Sequence, residues 1–151
     1  MNTWTVRGIE SRDRERWREL FAAYRAFYEL APDEAVLSTV WGWLADADHE
    51  VRGLVAVDDT DRPVGIAHVR TFARPSTASA GLFLDDLFTD PAVRGRGIGR
   101  ALIDAVARLA AEEGSTKVRW ITAATNTRAR ALYDSVASVD WVVYDLTPAD
   151  G

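Results

Sequence analysis

Asp90-Pro91-Ala92-Val93-Arg94-Gly95-Arg96-Gly97-Ile98-Gly99-Arg100 is the junction at which an apolar run ends and an amphipathic helix begins. Upstream, Gly81-Leu82-Phe83-Leu84-Asp85-Asp86-Leu87-Phe88 is short, apolar and bounded by Pro91, the pattern of a mostly buried strand. Downstream, Ile98, Ala101, Leu102, Ala105 and Leu109 recur at helical spacing as far as Glu113-Gly114, where glycine supplies a stop. A strand, a glycine loop and a helix in that order build an anion site. Glycines let the backbone approach a ligand, the unpaired N–H groups of the first turn point outward, and the helix dipole favours negative charge. Arg94, Arg96 and Arg100 add positive charge around the same point. The expected guest is a phosphate or pyrophosphate.

Spacing separates the phosphate loops. A Walker A loop ends in Gly-Lys followed by Ser or Thr, whereas this chain has Gly99-Arg100-Ala101. A dinucleotide fingerprint needs glycine at its first, third and sixth positions, and counting from Gly95 the last of these is Arg100. The pattern met by Arg94, Gly97 and Gly99 is Arg/Gln-x-x-Gly-x-Gly/Ala. It resembles the acyl-CoA pyrophosphate loop of the GNAT acetyltransferase superfamily.

Working outward, 151 residues with 48% hydrophobic composition suit one domain, 1–151, with a sizeable core. The net charge of −5 argues against a dedicated nucleic-acid binder and tolerates cationic small molecules. With no cysteine and two histidines, the chain has no thiolate chemistry and no metal constellation. Met1-Asn2-Thr3-Trp4 does not open a signal peptide and no apolar run is long enough to span a membrane, so a cytoplasmic protein is the expectation.

Thr3 to Ile9 alternates as a strand, and Ser11 or Asp13 can cap the next helix. Trp17, Leu20, Phe21, Tyr24, Phe27 and Tyr28 form the aromatic face of that helix, which Pro32 breaks before a second helix through Val36, Leu37, Val40, Trp41 and Leu44. Trp41 reads as packing; Trp43, off that face, covers a partner element or lines a pocket. Residues 52–58 and 62–72 read as two antiparallel strands around Asp58-Asp59-Thr60-Asp61. His68 lies in the second of them and reads as a core or edge residue. Lys117 to Ala123 reads as a strand parallel to the one before the loop, Asn126 opens a short helix, and Val139 to Leu146 reads as a last strand.

That order of elements also resembles the GNAT fold over nearly the whole chain. Leu84-Asp85-Asp86-Leu87-Phe88, Trp120, Asn126 and Leu132-Tyr133 are most similar to the subgroup holding polyamine and histone N-acetyltransferases. The resemblance implies an α/β domain with a mixed sheet of about six to seven strands flanked by about four helices. It implies acetyl-CoA as co-substrate, with pantetheine held by the main chain of Leu87, Phe88 and Thr89 beside parting strands. Arg94, Gly95, Arg96, Gly97, Ile98, Gly99 and Arg100 would hold the pyrophosphate, and Asn126 the cofactor arm. Dimers are common in the family.

An alkylammonium must lose a proton before it attacks, and Asp85 and Asp86 are the carboxylates available to take it. Adjacent strand residues face opposite ways, so both can reach one site only if a bulge intervenes. By resemblance to the polyamine acetyltransferases, Asp85 is favoured over Asp86. The Leu87 N–H would polarise the thioester carbonyl and the Tyr133 phenol would protonate the departing sulfur. Many members have a glycine a few residues after that tyrosine, where this chain has Ser135-Val136-Ala137-Ser138. Two functions stay open: an N-acetyltransferase acting on a primary amine, and a non-catalytic acyl-CoA-binding regulatory domain. The acidic Glu29, Asp33 and Glu34 with Trp41 and Trp43 point to a cationic acceptor, a small amine, polyamine or lysine.

Overall fold

A computed structural model describes residues 4–149; Met1, Asn2 and Thr3, read above as the chain start and the first residue of a strand, lie outside them. The element order is β1 (Thr5–Gly8), α1 (Arg14–Phe27), α2 (Glu34–Ala45), β2 (Val51–Val57), β3 (Pro63–Arg74), β4 (Ser79–Thr89), α3 (Ile98–Glu112), β5 (Val118–Arg119) and α4 (Thr127–Asp134). The chain divides into two compact units, one ending at Trp120 and one starting at Ile121. Among the described residues no helix is long and apolar enough to cross a membrane.

The first unit is built on one sheet in the order β1-β2-β3-β4-β5. Neighbours from β1 to β4 pair antiparallel, and β4 pairs β5 in parallel. The β2–β3 turn is held by Asp58, whose carboxylate accepts from the amides of Thr60 and Arg62 at 2.9 and 3.0 Å. The start of α1 is tied to β1 by Asp13, which is 2% exposed and accepts from both Arg7 terminal nitrogens, at 2.8 and 2.9 Å, and from the Glu10 amide at 2.8 Å.

Apolar periodicity decides which helix covers which face. Trp17, Leu20 and Phe21 of α1 and Leu37 of α2 pack with Val55, Val57, Ile66 and Phe88 of the sheet. Ile98, Leu102, Ile103, Val106 and Ala110 form the buried stripe of α3. Gly65 of β3 is where α3 comes closest: a Cβ there would stand 2.7 Å from Ile98 Cγ2 and 3.1 Å from Leu102 Cδ1. The missing side chain therefore seats the first turn of α3 on the sheet and fixes where the glycine loop emerges.

Two strands differ from expectation, so the sheet has five strands among the described residues and not six to seven. Lys117 to Ala123 pairs only through Val118–Arg119. Val139 to Leu146 forms no strand; Trp141, Tyr144 and Leu146 are strongly exposed there. Strand preference is a preference for packing on a paired, pleated surface, and aromatic and β-branched residues alone do not make a ladder.

In the second unit Asn126 occupies the N-cap position of α4, with no side-chain cap bond, and its carbonyl accepts from Arg130 N at 3.0 Å. The helix ends without glycine. Ser135 keeps a right-handed conformation, its hydroxyl bonds the Leu132 carbonyl at 2.6 Å, and the amides of Val136 and Ala137 both donate to the Tyr133 carbonyl.

Candidate active site

The loop between β4 and α3 is braced from three sides. Asp90 caps its first turn by accepting from the Ala92 amide at 2.9 Å. Arg16 of α1 pairs with the Asp90 carboxylate and donates from Nε to the Pro63 carbonyl at 2.9 Å, tying loop, helix and β3 together. The Trp4 indole donates to the Arg96 carbonyl at 2.8 Å. Within this frame Gly95 and Gly97 have φ of +79° and +84°, a left-handed conformation that side chains disfavour, and a Cβ on either would meet no atom within 4 Å. Gly97 is the N-cap of α3 and no side chain caps that helix. The first-turn amides thus have no side-chain cap, and the glycines before them leave room for a ligand, which suits a pyrophosphate.

The loop side chains divide the work unevenly. Ile98 is buried and serves the core, so only its amide is free to face a ligand. Arg100 pairs with Asp104 at 3.1 Å, one turn along α3. The Arg94 guanidinium lies over the rings of Phe88 and Phe27, at 5.3 and 5.8 Å from their centroids. Arg96 and Gly99 sit in the loop and at the second helical position as expected.

The edge of β4 lies next to this loop. Its ladder with β5 covers only Leu82 and Phe83. The Asp90 amide donates to the Val64 carbonyl at 2.8 Å, and the β3–β4 register runs Gly65↔Thr89, Ile66↔Phe88, Ala67↔Leu87. Backbone groups alternate sides along a strand, so Phe88 and Asp86 bond towards β3 while Leu87 and Thr89 turn their N–H and C=O groups away from it. Leu87 and Thr89 are therefore the pair that can hold an extended amide chain. Phe88, expected to share that role, gives its ring to the core and its main chain to β3.

Asp85 is the extra residue of a β-bulge. The register passes from His68↔Asp86 to Val69↔Leu84 and leaves Asp85 unmatched. His68 and Arg70, two apart on β3, share a face, and they bind the two carboxylates: His68 Nδ1 lies 2.7 Å from Asp86 Oδ2 and Arg70 Nε lies 2.9 Å from Asp85 Oδ2. The bulge thus brings both aspartates to one side of the sheet. Burial pushes the Asp85 carboxyl above its usual range, and Arg70 opposes this only in part. Burial also acts to raise Asp86, but hydrogen bonds from His68 and Tyr24 outweigh it and hold that carboxyl below its usual range.

Asn126 and Tyr133 belong to the second unit. Asn126 Nδ2 donates to Thr122 Oγ1 at 3.3 Å, and Tyr133 is half-buried on α4. The acidic residues of the helical region are partly committed: Asp33 caps α2 and Glu34 pairs with Arg18. Trp41 packs against Trp17 with centroids 5.3 Å apart, while Trp43 stacks on His49 at 4.9 Å. His68, Arg70 and Tyr24 were not singled out as site residues from the sequence. The signal available was the spacing of His68 and Arg70, which puts two polar residues on one face of an otherwise apolar strand.

The sequence profile of the Acetyltransferase (GNAT) family matches residues 14–137. The chain belongs to that family. This GNAT protein is 31% identical over 141 residues to the D-amino-acid N-acetyltransferase HPA3 of Saccharomyces cerevisiae, covering 92% of this chain and 88% of that one. It is 31% identical over 80 residues to the thialysine N-epsilon-acetyltransferase of Bos taurus, covering 53% of this chain and 44% of the other. Among solved structures, a ribosomal-protein-alanine N-acetyltransferase from Brucella melitensis biovar Abortus 2308 matches with a TM-score of 0.81 and 25% identity over 96% of this chain and 99% of that one. The GNAT protein is accordingly an acyltransferase that uses acetyl-CoA, and the open glycine loop and the part of the β4 edge beyond its β5 ladder, unpaired in the sheet among the described residues, fit that co-substrate. The regulatory, non-catalytic alternative gives way to the enzyme.

Proposed function

We propose that residues 1–151 act as one catalytic domain that acetylates a primary amine by direct attack in a ternary complex, with a cationic small amine, a polyamine or a lysine side chain as acceptor. The observation that carries this reading is the bulge at Asp85, which sets two carboxylates on one face of β4 immediately before Leu87, where the edge lies beyond the β5 ladder. Bound acetyl-CoA supplies an activated acetyl thioester. Leu87 and Thr89 hold its arm through main-chain groups, and the amides at the start of α3 hold its phosphates. The Leu87 N–H hydrogen-bonds the carbonyl on which negative charge develops.

Asp85 takes the proton of the acceptor ammonium, whose reference pKa of about 10.4 keeps it charged at neutral pH, through an intervening water. Its raised affinity for a proton suits that task better than an ordinary carboxylate would. Asp86, held ionised, offers a counter-charge to the incoming cation. Asn126 steadies the cofactor arm, and Tyr133 gives its phenolic proton to the leaving sulfur.

The D-amino-acid relative makes an amino acid the rival acceptor, and the thialysine relative is named for an ε-amine. Release of free CoA thiol discriminates them when spermidine, lysine, a D-amino acid, a peptide and an aminoglycoside are compared at low and high salt. The polycation and lysine should be preferred, and their affinity should weaken with salt. Preference for the amino acid, or salt-independent affinity for the cations, would overturn the acceptor assignment while leaving acetyl transfer intact.

A further inference from the structure

His68 is 2% exposed in the middle of β3, and both of its ring nitrogens are engaged. Trp17 Nε1 lies 2.9 Å from His68 Nε2, and Asp86 Oδ2 lies 2.7 Å from Nδ1. An indole nitrogen can only donate, so His68 Nε2 has to accept. The neutral ring then carries its hydrogen on Nδ1, where it can only be given to Asp86. Trp17, through one hydrogen bond, settles which way the imidazole serves the carboxylate. Neither ring has room to turn. Phe21 meets His68 edge-on at 4.9 Å, and Trp17, 1% exposed, lies 5.3 Å from the rings of both Phe21 and Trp41.

This chain of bonds runs through the core of the α1 face and surfaces only at Asp86, whose side chain is 23% exposed. A core made for stability alone would fill the His68 position with an apolar side chain, because a buried polar group gives back little more than its desolvation costs. Here the polar group ends at a carboxylate beside the bulge and beside the edge of β4 beyond its β5 ladder. Resting on the acceptor reading above, we propose that Trp17 and His68 are positioning residues that orient Asp86 so that its remaining lone pairs receive the ammonium of the acceptor. Neither touches substrate. Tyr24, which also bonds Asp86, steadies it from α1.

Two measurements on the full chain test this. In protein labelled with 15N-histidine, long-range 1H–15N spectra should show His68 with its hydrogen on Nδ1, a signature that the Trp17→Phe variant weakens while keeping most of the ring's bulk. In steady-state assays His68→Leu should raise KM for the amine by about ten- to a hundredfold, the weight of one hydrogen bond to a charged group. Its affinity for acetyl-CoA should be unchanged. His68→Asn, whose amide nitrogen stands close to the place of Nδ1, should recover most of the loss. Because His68 acts only through Asp86, the pair His68→Leu with Asp86→Asn should be no worse than Asp86→Asn alone. Hydrogen on Nε2 in the wild type, or losses that add in the double variant, would overturn the positioning role. If Asp86→Asn leaves the amine KM unchanged, the acceptor reading falls with it, and the unaltered tautomer signal shows that the failure lies there and not in the relay.

Discussion

Arg70 and Asp85 meet across a β-bulge, with Arg70 Nε 2.9 Å from Asp85 Oδ2 and 3.2 Å from Oδ1. The pair is half-buried, and the guanidinium rests 4.7 Å from the centre of the Phe83 ring, so its position is set by β4 as well as by its charge. Burial raises the Asp85 carboxyl and Arg70 pulls it back part of the way. The balance leaves a base that binds a proton more strongly than a surface aspartate does.

Removing the counter-charge should move that balance in a known direction. In Arg70→Met the apolar stem still covers Phe83, but burial of Asp85 is no longer opposed. The carboxyl then holds its proton to higher pH, and the acid limb of kcat/KM, along which activity falls as Asp85 protonates, shifts upward. A limb that stays in place or shifts downward would separate Asp85 from the rate.

Gly97→Val tests the loop. A Cβ there meets no atom within 4 Å, so the expected cost is backbone strain of about 1–2 kcal/mol together with the space taken from phosphate. Calorimetry should find a folded protein with acetyl-CoA binding lost. Gly114→Val, at φ +73° and equally open at the far end of α3, carries the same strain and should bind acetyl-CoA as the wild type does. Equal affinities in the two variants would contradict the loop assignment.

Tyr133→Phe should reduce turnover by about a hundredfold or more, the range of a positioned proton donor, with acetyl-CoA affinity little changed. Full turnover in the variant would return Tyr133 to a packing role.

Stability has its own charge centre at Asp13. Burial acts to raise this carboxyl, but the hydrogen bonds from Arg7 and the Glu10 amide outweigh it and hold it below its usual range. A depressed carboxyl contributes stability that is present above the unfolded-state range and lost as pH falls through the folded value. Urea denaturation should therefore show the wild type weakening with acid, and Asp13→Ala, which takes the acceptor from the Glu10 amide while Arg7 keeps Asp61, losing about 1–3 kcal/mol at neutral pH. A neutral-pH loss under about 1 kcal/mol would reduce the cluster to a surface pair.

The loop, α3 and the strand before them were legible because local chemistry decides them: helical spacing from Ile98 to Leu109 faces one core, and glycines stand where φ is positive. The bulge was not. Alternation states which residues differ in face but not where the register slips, and only the pairing with β3 leaves Asp85 unmatched. For the same reason His68 reads from the sequence as a core or edge residue: Trp17, which holds its Nε2, stands 51 positions away. Val139 to Leu146 shows the opposite error. Its composition promises a strand, yet a strand exists only where a partner supplies the ladder.

The proposed chemistry turns on Asp85 taking the proton of the acceptor amine. The pH profile of Asp85→Asn against wild type tests this step without intermediaries, with spermidine as acceptor and CoA thiol release as the signal. Loss of the base should depress activity at neutral pH and let it recover as pH rises and the free amine becomes abundant. A deficit of equal size at every pH would contradict the role and leave Asp85 a structural partner of Arg70.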